Sequence, residues 1–198
     1  MLKKGFLLLL FFVISRTIYA QSADVVYNQY LDFNLARFDG DQDKTVELGE
    51  RILPNADKLP EKARVNFFFG IGKMYEDDDQ YDKAITYYEK VAAVVPDYYV
   101  AHRALGYLYL NKAKQIEKQL SSSAGNSAME AQLKSAYAAD VKMALPHLEK
   151  AQACDPSSDT LEIIKNLYQN INDSADLIAL TDRLKTLSKN CIDILTDQ

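Results

Sequence analysis

Beyond its first twenty residues the chain carries its apolar side chains at spacings of three and four, the period that lines one face of a helix. Phe68, Ile71, Gly72 and Tyr75 share one such face, and Ala84, Tyr88 and Val91 share another. The spacing predicts a helix over Val65 to Tyr75, an acidic turn over Glu76 to Gln80, and a second helix over Tyr81 to Val95. Pro96 ends the second helix, because the residue before a proline is pushed out of the helical region. Gly72 and Ala84 are small because the two helices are expected to cross there, with Tyr88 and Val91 filling the space alongside. Glycine and proline are few and fall at expected turns, and no alternating apolar and polar run is bounded by hairpin turns. The expectation is an all-α protein.

The same offsets return further on. His102, Leu105, Gly106 and Tyr109 repeat the first set, and Ala144, Leu148, Ala151 and Pro156 repeat the second. Between them the chain is about 26 residues longer than a unit of roughly 34 residues requires. The spacing resembles that of the tetratricopeptide repeat, clearly over 65–109 and 144–156, with His102 standing where that family usually has a large apolar or aromatic residue. The resemblance implies a right-handed helical-repeat solenoid of about four antiparallel helix pairs that works by holding other proteins.

Under that reading residues 21–198 form a single domain: a degenerate pair over 24–58, the clear repeat over 65–98, an expanded repeat over 99–158 and a degenerate pair over 159–189. Outer units of a stack are expected to be atypical. The insertion, about 112–138, holds a helical stretch to Leu120, the polar turn Ser121 to Ser127, and a resumed pattern of Met129, Leu133, Tyr137 and Val141. It reads as both helices of one pair lengthened into a protruding hairpin, with Ile116 and Leu120 against Met129 and Leu133. Pro146 is expected to kink the second long helix. The tail from Asn190 is expected to extend the last helix and fray.

The resemblance further implies that the first helix of each pair lines a concave groove. The groove-facing residues would be Asn66, Phe69, Lys73, Glu76 and Asp77, then Val100, Arg103, Tyr107, Leu110 and Asn111, then Asn166, Gln169 and Asn170. Apolar platforms with a polar rim suit an extended segment or a helix of a partner. Some members of the family clamp a C-terminal carboxylate, but Phe69 and Lys73 stand where that clamp needs lysine and asparagine. An alternative is that the chain's own N-terminal or C-terminal segment partly fills the groove.

The N-terminus adds location. Met1-Leu2-Lys3-Lys4, an apolar run from Phe6 to Ile14 and Tyr19-Ala20-Gln21 read as a signal peptide over 1–20. The apolar run is too short for a membrane span, which needs ~20 residues. An exported chain, periplasmic or secreted, is expected. Three cations and no acid leave with that segment, so the −5 of the whole chain becomes −8. Such a surface argues against nucleic acid, whose binding rests on clustered Lys and Arg. Cys154 and Cys191 would lie in a compartment where disulfides persist. They can bridge only if their Cα atoms come within about 7 Å, and two small buried thiols in adjacent helices are the expectation.

Candidate chemistry is sparse. Asp39, Asp41, Asp43, Glu47 and Glu50 resemble the ligand spacing of a calcium loop, but Lys44 stands where such a loop needs glycine. The same stretch also reads as a turn and a helix capped by Asp, which is the expectation. Glu76 to Asp79 reads as a solvated helix start. His102 and His147 match no zinc spacing, and no nucleophile setting or phosphate loop accompanies them. The chain is therefore expected to be a non-enzyme without cofactor or metal. It would scaffold an exported protein complex, with the hairpin offering a second contact or a homodimer surface. The alternative is a protein that binds small ligands or cell-wall fragments, stacking them on Phe69 and Tyr107.

Overall fold

The structure, a computed structural model, describes residues 21–123 and 127–196, so the expected signal peptide lies outside the described residues. The described residues form eight α-helices and no strand. They are α1 (Ala23–Asp39), α2 (Gln42–Ile52), α3 (Glu61–Asp77), α4 (Tyr81–Val94), α5 (Tyr99–Ser122), α6 (Ser127–Cys154), α7 (Ser158–Asn170) and α8 (Ser174–Leu187). A 3-10 turn, Leu53–Lys58, follows α2. None of these helices is long and apolar enough to cross a membrane. Each helix packs on the next in sequence, α5 on α6 most extensively, and α1 also touches α3 while α6 touches α8.

One turn closes three of these junctions. Gly40, Asp79 and Asn172 each follow a helix in the left-handed conformation, with φ of 72°, 56° and 57°. The next residue then reaches back five positions: Asp41 N–H to Ala36 O (2.9 Å), Gln80 N–H to Tyr75 O (2.8 Å), Asp173 N–H to Tyr168 O (2.9 Å). Glycine, aspartate and asparagine are the residues that tolerate this backbone, which is why three different letters make one geometry. Asp41 and Asp173 then cap the following helix, accepting from the N–H of Lys44 and of Asp176 (3.1 Å each). The acidic stretch at 39–50 is thus a turn and a capped helix, as expected. The Glu76–Asp79 run is not a helix start: Glu76 and Asp77 close α3, and Lys73 pairs with Asp77 at 2.6 Å. That cation offsets the acids which the helix dipole disfavours at a C-terminus.

The core runs from Val26 on α1 to Leu180 on α8. Tyr30, Phe33 and Phe67 are wholly buried, and Phe33 meets Phe67 edge to face at 5.1 Å. Closest approach falls at the glycines. A Cβ on Gly72 would lie 2.8 Å from the Tyr88 ring, and one on Gly106 would lie 2.7 Å from Leu148 Cδ2 and 3.0 Å from its backbone N. α5 and α6 are the longest helices, with Ala113 and Val141 fully buried and Leu133 half-buried, while Met129 stays half exposed. α6 runs unbroken through Pro146, whose ring lies on the exposed side.

Two ion pairs tie the last helices together. Glu149 is buried, and Arg183 donates to it twice, from Nε at 3.0 Å and Nη2 at 2.9 Å. The Tyr168 hydroxyl donates to the same carboxylate. Next to it Lys150, also buried, donates to Asp97 (2.7 Å) and to the carbonyls of Leu187 (3.2 Å) and Asn190 (2.5 Å). The tail departs from expectation here: α8 stops at Leu187, and the chain turns back as an extended strap rather than lengthening the helix. The cysteines depart from it too. Cys154 and Cys191 are not buried thiols but are joined in a disulfide, with Cα atoms 5.6 Å apart. Strap and bridge have one cause: reversal after α8 brings Cys191 back to the end of α6.

Gly106→Ala tests the close approach. Alanine gains about 1 kcal/mol of helix propensity over glycine, but here it presses on backbone that cannot move aside. Overpacking, about 1–3 kcal/mol, is expected to win, lowering the urea midpoint without changing the slope of unfolding.

Candidate functional site

α3, α5 and α7 carry the residues the sequence assigned to a groove, and clefts border α1, α3 and α5. Asn66 and Phe69 line one of about 320 Å³ together with Tyr30, Asn34, Arg37 and Tyr98. Lys73 and Asp77 line a second of about 460 Å³, again with Arg37. Glu76, Tyr107, Leu110 and Asn111 line a third, and Arg103 and Tyr107 a fourth. Asn166, Gln169 and Asn170 are exposed on α7 and border none of these clefts, and Asn170 donates to the Tyr137 hydroxyl at 3.1 Å.

Several of these side chains are committed within the fold. Leu110 is buried rather than presented to a partner, because it belongs to the main core. Phe69 is no open platform: its ring packs against Tyr88 at 5.5 Å and Tyr98 at 5.2 Å. Val100 is half-buried against the small cluster of Val65, Val91, Tyr98 and Ala101. Arg103 pairs with Asp155, and the Tyr107 hydroxyl shares a hydrogen bond with Thr160 at 2.9 Å. Tyr107 keeps 40% of its surface exposed.

Arg37 was not singled out in the sequence, yet it borders two of the four clefts. Its guanidinium lies over the Phe33 ring (5.6 Å) and accepts its position from Gly70, where a Cβ would meet Nη1 at 2.7 Å. Nη1 donates to Asn34 Oδ1 at 3.4 Å. Burial is the first cause holding its pKa below the usual arginine value. No carboxylate among the described residues lies within ion-pair distance of it.

The C-terminal strap enters the cleft beside Arg37. Ile192 N–H donates to Asp97 O (2.8 Å) and Tyr99 N–H donates to Ile192 O (3.2 Å), giving one isolated parallel bridge between Tyr98 and Ile192. Asp193, Ile194 and Leu195 then line the same cleft as Arg37, Asn66 and Phe69. Leu195 packs on the Val65–Val91–Tyr98 cluster. Burial pushes the Tyr98 phenol up to about 12. The open alternative of the sequence, that the chain's own end fills part of this surface, is what the structure holds. No periodicity could reveal it, since an extended tail has none.

The two histidines meet. His102 Nε2 is 3.0 Å from Pro96 O, so that nitrogen must carry the proton. In the neutral ring Nδ1 is then an acceptor, and His147 Nδ1–H donates to it at 2.9 Å. Tyr109 stacks on His147 with the ring planes 6° apart. Burial, then the neighbouring His102, lowers His147 to about 4. Burial also lowers His102, with Lys150 adding to the effect while Pro96 O and Asp97 oppose it. His102 thus spends one nitrogen on the backbone and the other on His147. No model of a known protein family matches this chain, and no curated protein matches it significantly.

The pair sets a pH dependence. His147 titrates near 6.5 when unfolded and about 4 when folded, so the unfolded chain binds the extra proton between those values. Stability is therefore complete above about 6.5 and falls as pH drops toward 4. Allowing for partial exposure, the loss is about 2 kcal/mol. Denaturant titrations at pH 7 and pH 4 are expected to show that much more loss for the native chain than for His147→Phe, which keeps the ring but cannot titrate.

Proposed function

We propose that this protein is a non-catalytic, tetratricopeptide-like scaffold that holds an extended segment of another protein along the face formed by α1, α3 and α5. The observation that carries the reading is the row of clefts on those three helices, lined by residues at equivalent offsets in the two copies of the spacing, Lys73 in one and Tyr107 in the other. One of those clefts already accepts an extended chain, residues 193–195. The solenoid reading draws support from the recurring left-handed turn and from the glycine contact made once by Gly72 on Tyr88 and again by Gly106 on Leu148.

A site for chemistry is disfavoured by what the histidines do, since both ring nitrogens of His102 are engaged and burial holds His147 near 4, a weak base at neutral pH. Export is supported by the Cys154–Cys191 bridge, which persists in oxidising compartments. The long α5–α6 hairpin offers a second contact, to another protein or to a second copy of the chain.

Photocrosslinking tests the groove directly. A crosslinking residue placed at Asn66, Lys73 or Tyr107 in the native cell is expected to trap the same partner. The same residue at Phe38, which is exposed on α1 and lines none of the four clefts, is expected to trap none. Crosslinks from Phe38 alone would place the partner elsewhere and end the groove reading.

A further inference from the structure

We propose that the groove takes its partner as an extended segment bearing an acid between apolar residues, and that the Cys154–Cys191 bridge decides whether the chain's own strap occupies that place. The proposal rests on the groove being the partner surface and names what fits it and what controls access.

The strap shows the fit. Ile192 supplies two backbone hydrogen bonds to Asp97 and Tyr99, which read an extended backbone without regard to side chain. Leu195 enters the small apolar cluster, and Asp193 faces the cleft that Arg37 borders. Arg37 is a half-buried cation with an amide and a ring for partners, so a carboxylate brought beside it would gain more than at an open surface. Gly70 keeps that guanidinium fixed against α3. The strap makes the backbone and apolar contacts, with Asp193 on the lining of the cleft that Arg37 borders but outside ion-pair distance of it. A partner segment resembling Ile192-Asp193-Ile194-Leu195 that brings its acid onto Arg37 would add the third feature.

The hold on the strap is uneven. At its base are the disulfide and Lys150, which grips the Leu187 and Asn190 carbonyls. Beyond Cys191 the strap's contacts include two backbone hydrogen bonds and one half-buried leucine, while Ile194 is 69% exposed. Each such bond returns only part of what fixing a residue costs in entropy. The outer strap therefore stays because its base is tethered, which keeps its local concentration high. Cys191 is exposed and within reach of a dithiol reductant. One thiolate of the reductant attacks a bridge sulfur, forming a mixed disulfide and releasing one cysteine as a thiol. The reductant's second thiol closes its own disulfide and releases the other, so two electrons and two protons pass to the bridge. Lys150 then holds the base alone, and a segment from another protein can compete for the cleft.

The test uses the full chain, oxidised, reduced by a dithiol, and as Cys154→Ser. The probe is a labelled nine-residue peptide of residues 190–198 with Ser for Cys191. Opening the bridge is expected to speed amide exchange at Tyr99 and Ile192 by about tenfold or more while α3 to α6 stay protected, and to tighten peptide binding by about tenfold. A probe carrying Asp193→Asn is expected to bind more weakly. Unchanged exchange at Tyr99 and Ile192 after reduction overturns the control by the bridge. A rise in exchange throughout the chain also overturns it, since the bridge would then hold the fold. Equal peptide binding in both states overturns the strap as gatekeeper while leaving the groove reading intact. Exposed strap amides with no peptide binding in either state overturn the proposed partner chemistry, and the crosslinking experiment decides the groove itself.

Discussion

Everything else in this fold depends on how closely two helices can approach where one of them has no side chain. At Gly72 the Tyr88 ring lies on bare backbone, and at Gly106 Leu148 does the same. Neither contact survives a methyl group without something shifting, so the register of α3 on α4 and of α5 on α6 is set at these points. Once the register is set, the apolar stripes of neighbouring helices face one another, and Ile71, Tyr88, Leu105 and Leu148 become wholly or almost wholly buried. An isolated helix of this length is marginal in water, so the stripes and not the propensities hold the molecule together.

The second copy adds a problem that the first does not have. α6 presents Glu149 and Lys150 side by side, and both are buried. Two adjacent positions on a helix point in different directions, so each charge needs its own partners. Glu149 receives Arg183 and Tyr168 from α8 and α7, and the Glu149 hydrogen bond is the first cause raising the pKa of Arg183. Lys150 receives Asp97 from the α4–α5 turn, the Leu187 carbonyl from the end of α8 and the Asn190 carbonyl from the base of the strap. Desolvated charges of this kind add little net stability, but removing one partner is costly, so they specify where α8 must lie. The last helix is placed by polar geometry as much as by its apolar face, which buries only Leu180 fully.

This division explains which parts were legible in the sequence. Helix α4 was readable almost to its ends, because period and Pro96 point to the same boundary, whereas α3 begins at Glu61, four residues before the expected Val65. The lengthened pair was readable from Met129, Leu133, Tyr137 and Val141, which repeat every four residues. The polar ties were not readable, because His102 and His147, Cys154 and Cys191, and Glu149 and Arg183 are joined across gaps that carry no period. The groove was half legible. Its residues were named from their offsets, but Leu110 and Phe69 turned inward to satisfy neighbours, Tyr98 among them, that helical spacing does not supply. Arg37 was invisible for a related reason: it matters because Gly70 on another helix leaves it room.

The strap brings these strands of argument together. A tail that merely frayed would leave the buried Lys150 ammonium without the Asn190 carbonyl, the shortest of its three hydrogen bonds. Reversal after Leu187 supplies that carbonyl and carries Cys191 to Cys154 in the same movement. The base of the strap is thus required by a buried charge, whereas its outer half, from Ile192 onward, satisfies no comparable need. Ile192 is 38% exposed and Ile194 69% exposed, so most of what they could bury stays in water. A segment held firmly where the fold needs it, and lightly where it crosses the cleft beside Arg37, is one that another chain of the same chemistry can replace without disturbing the core.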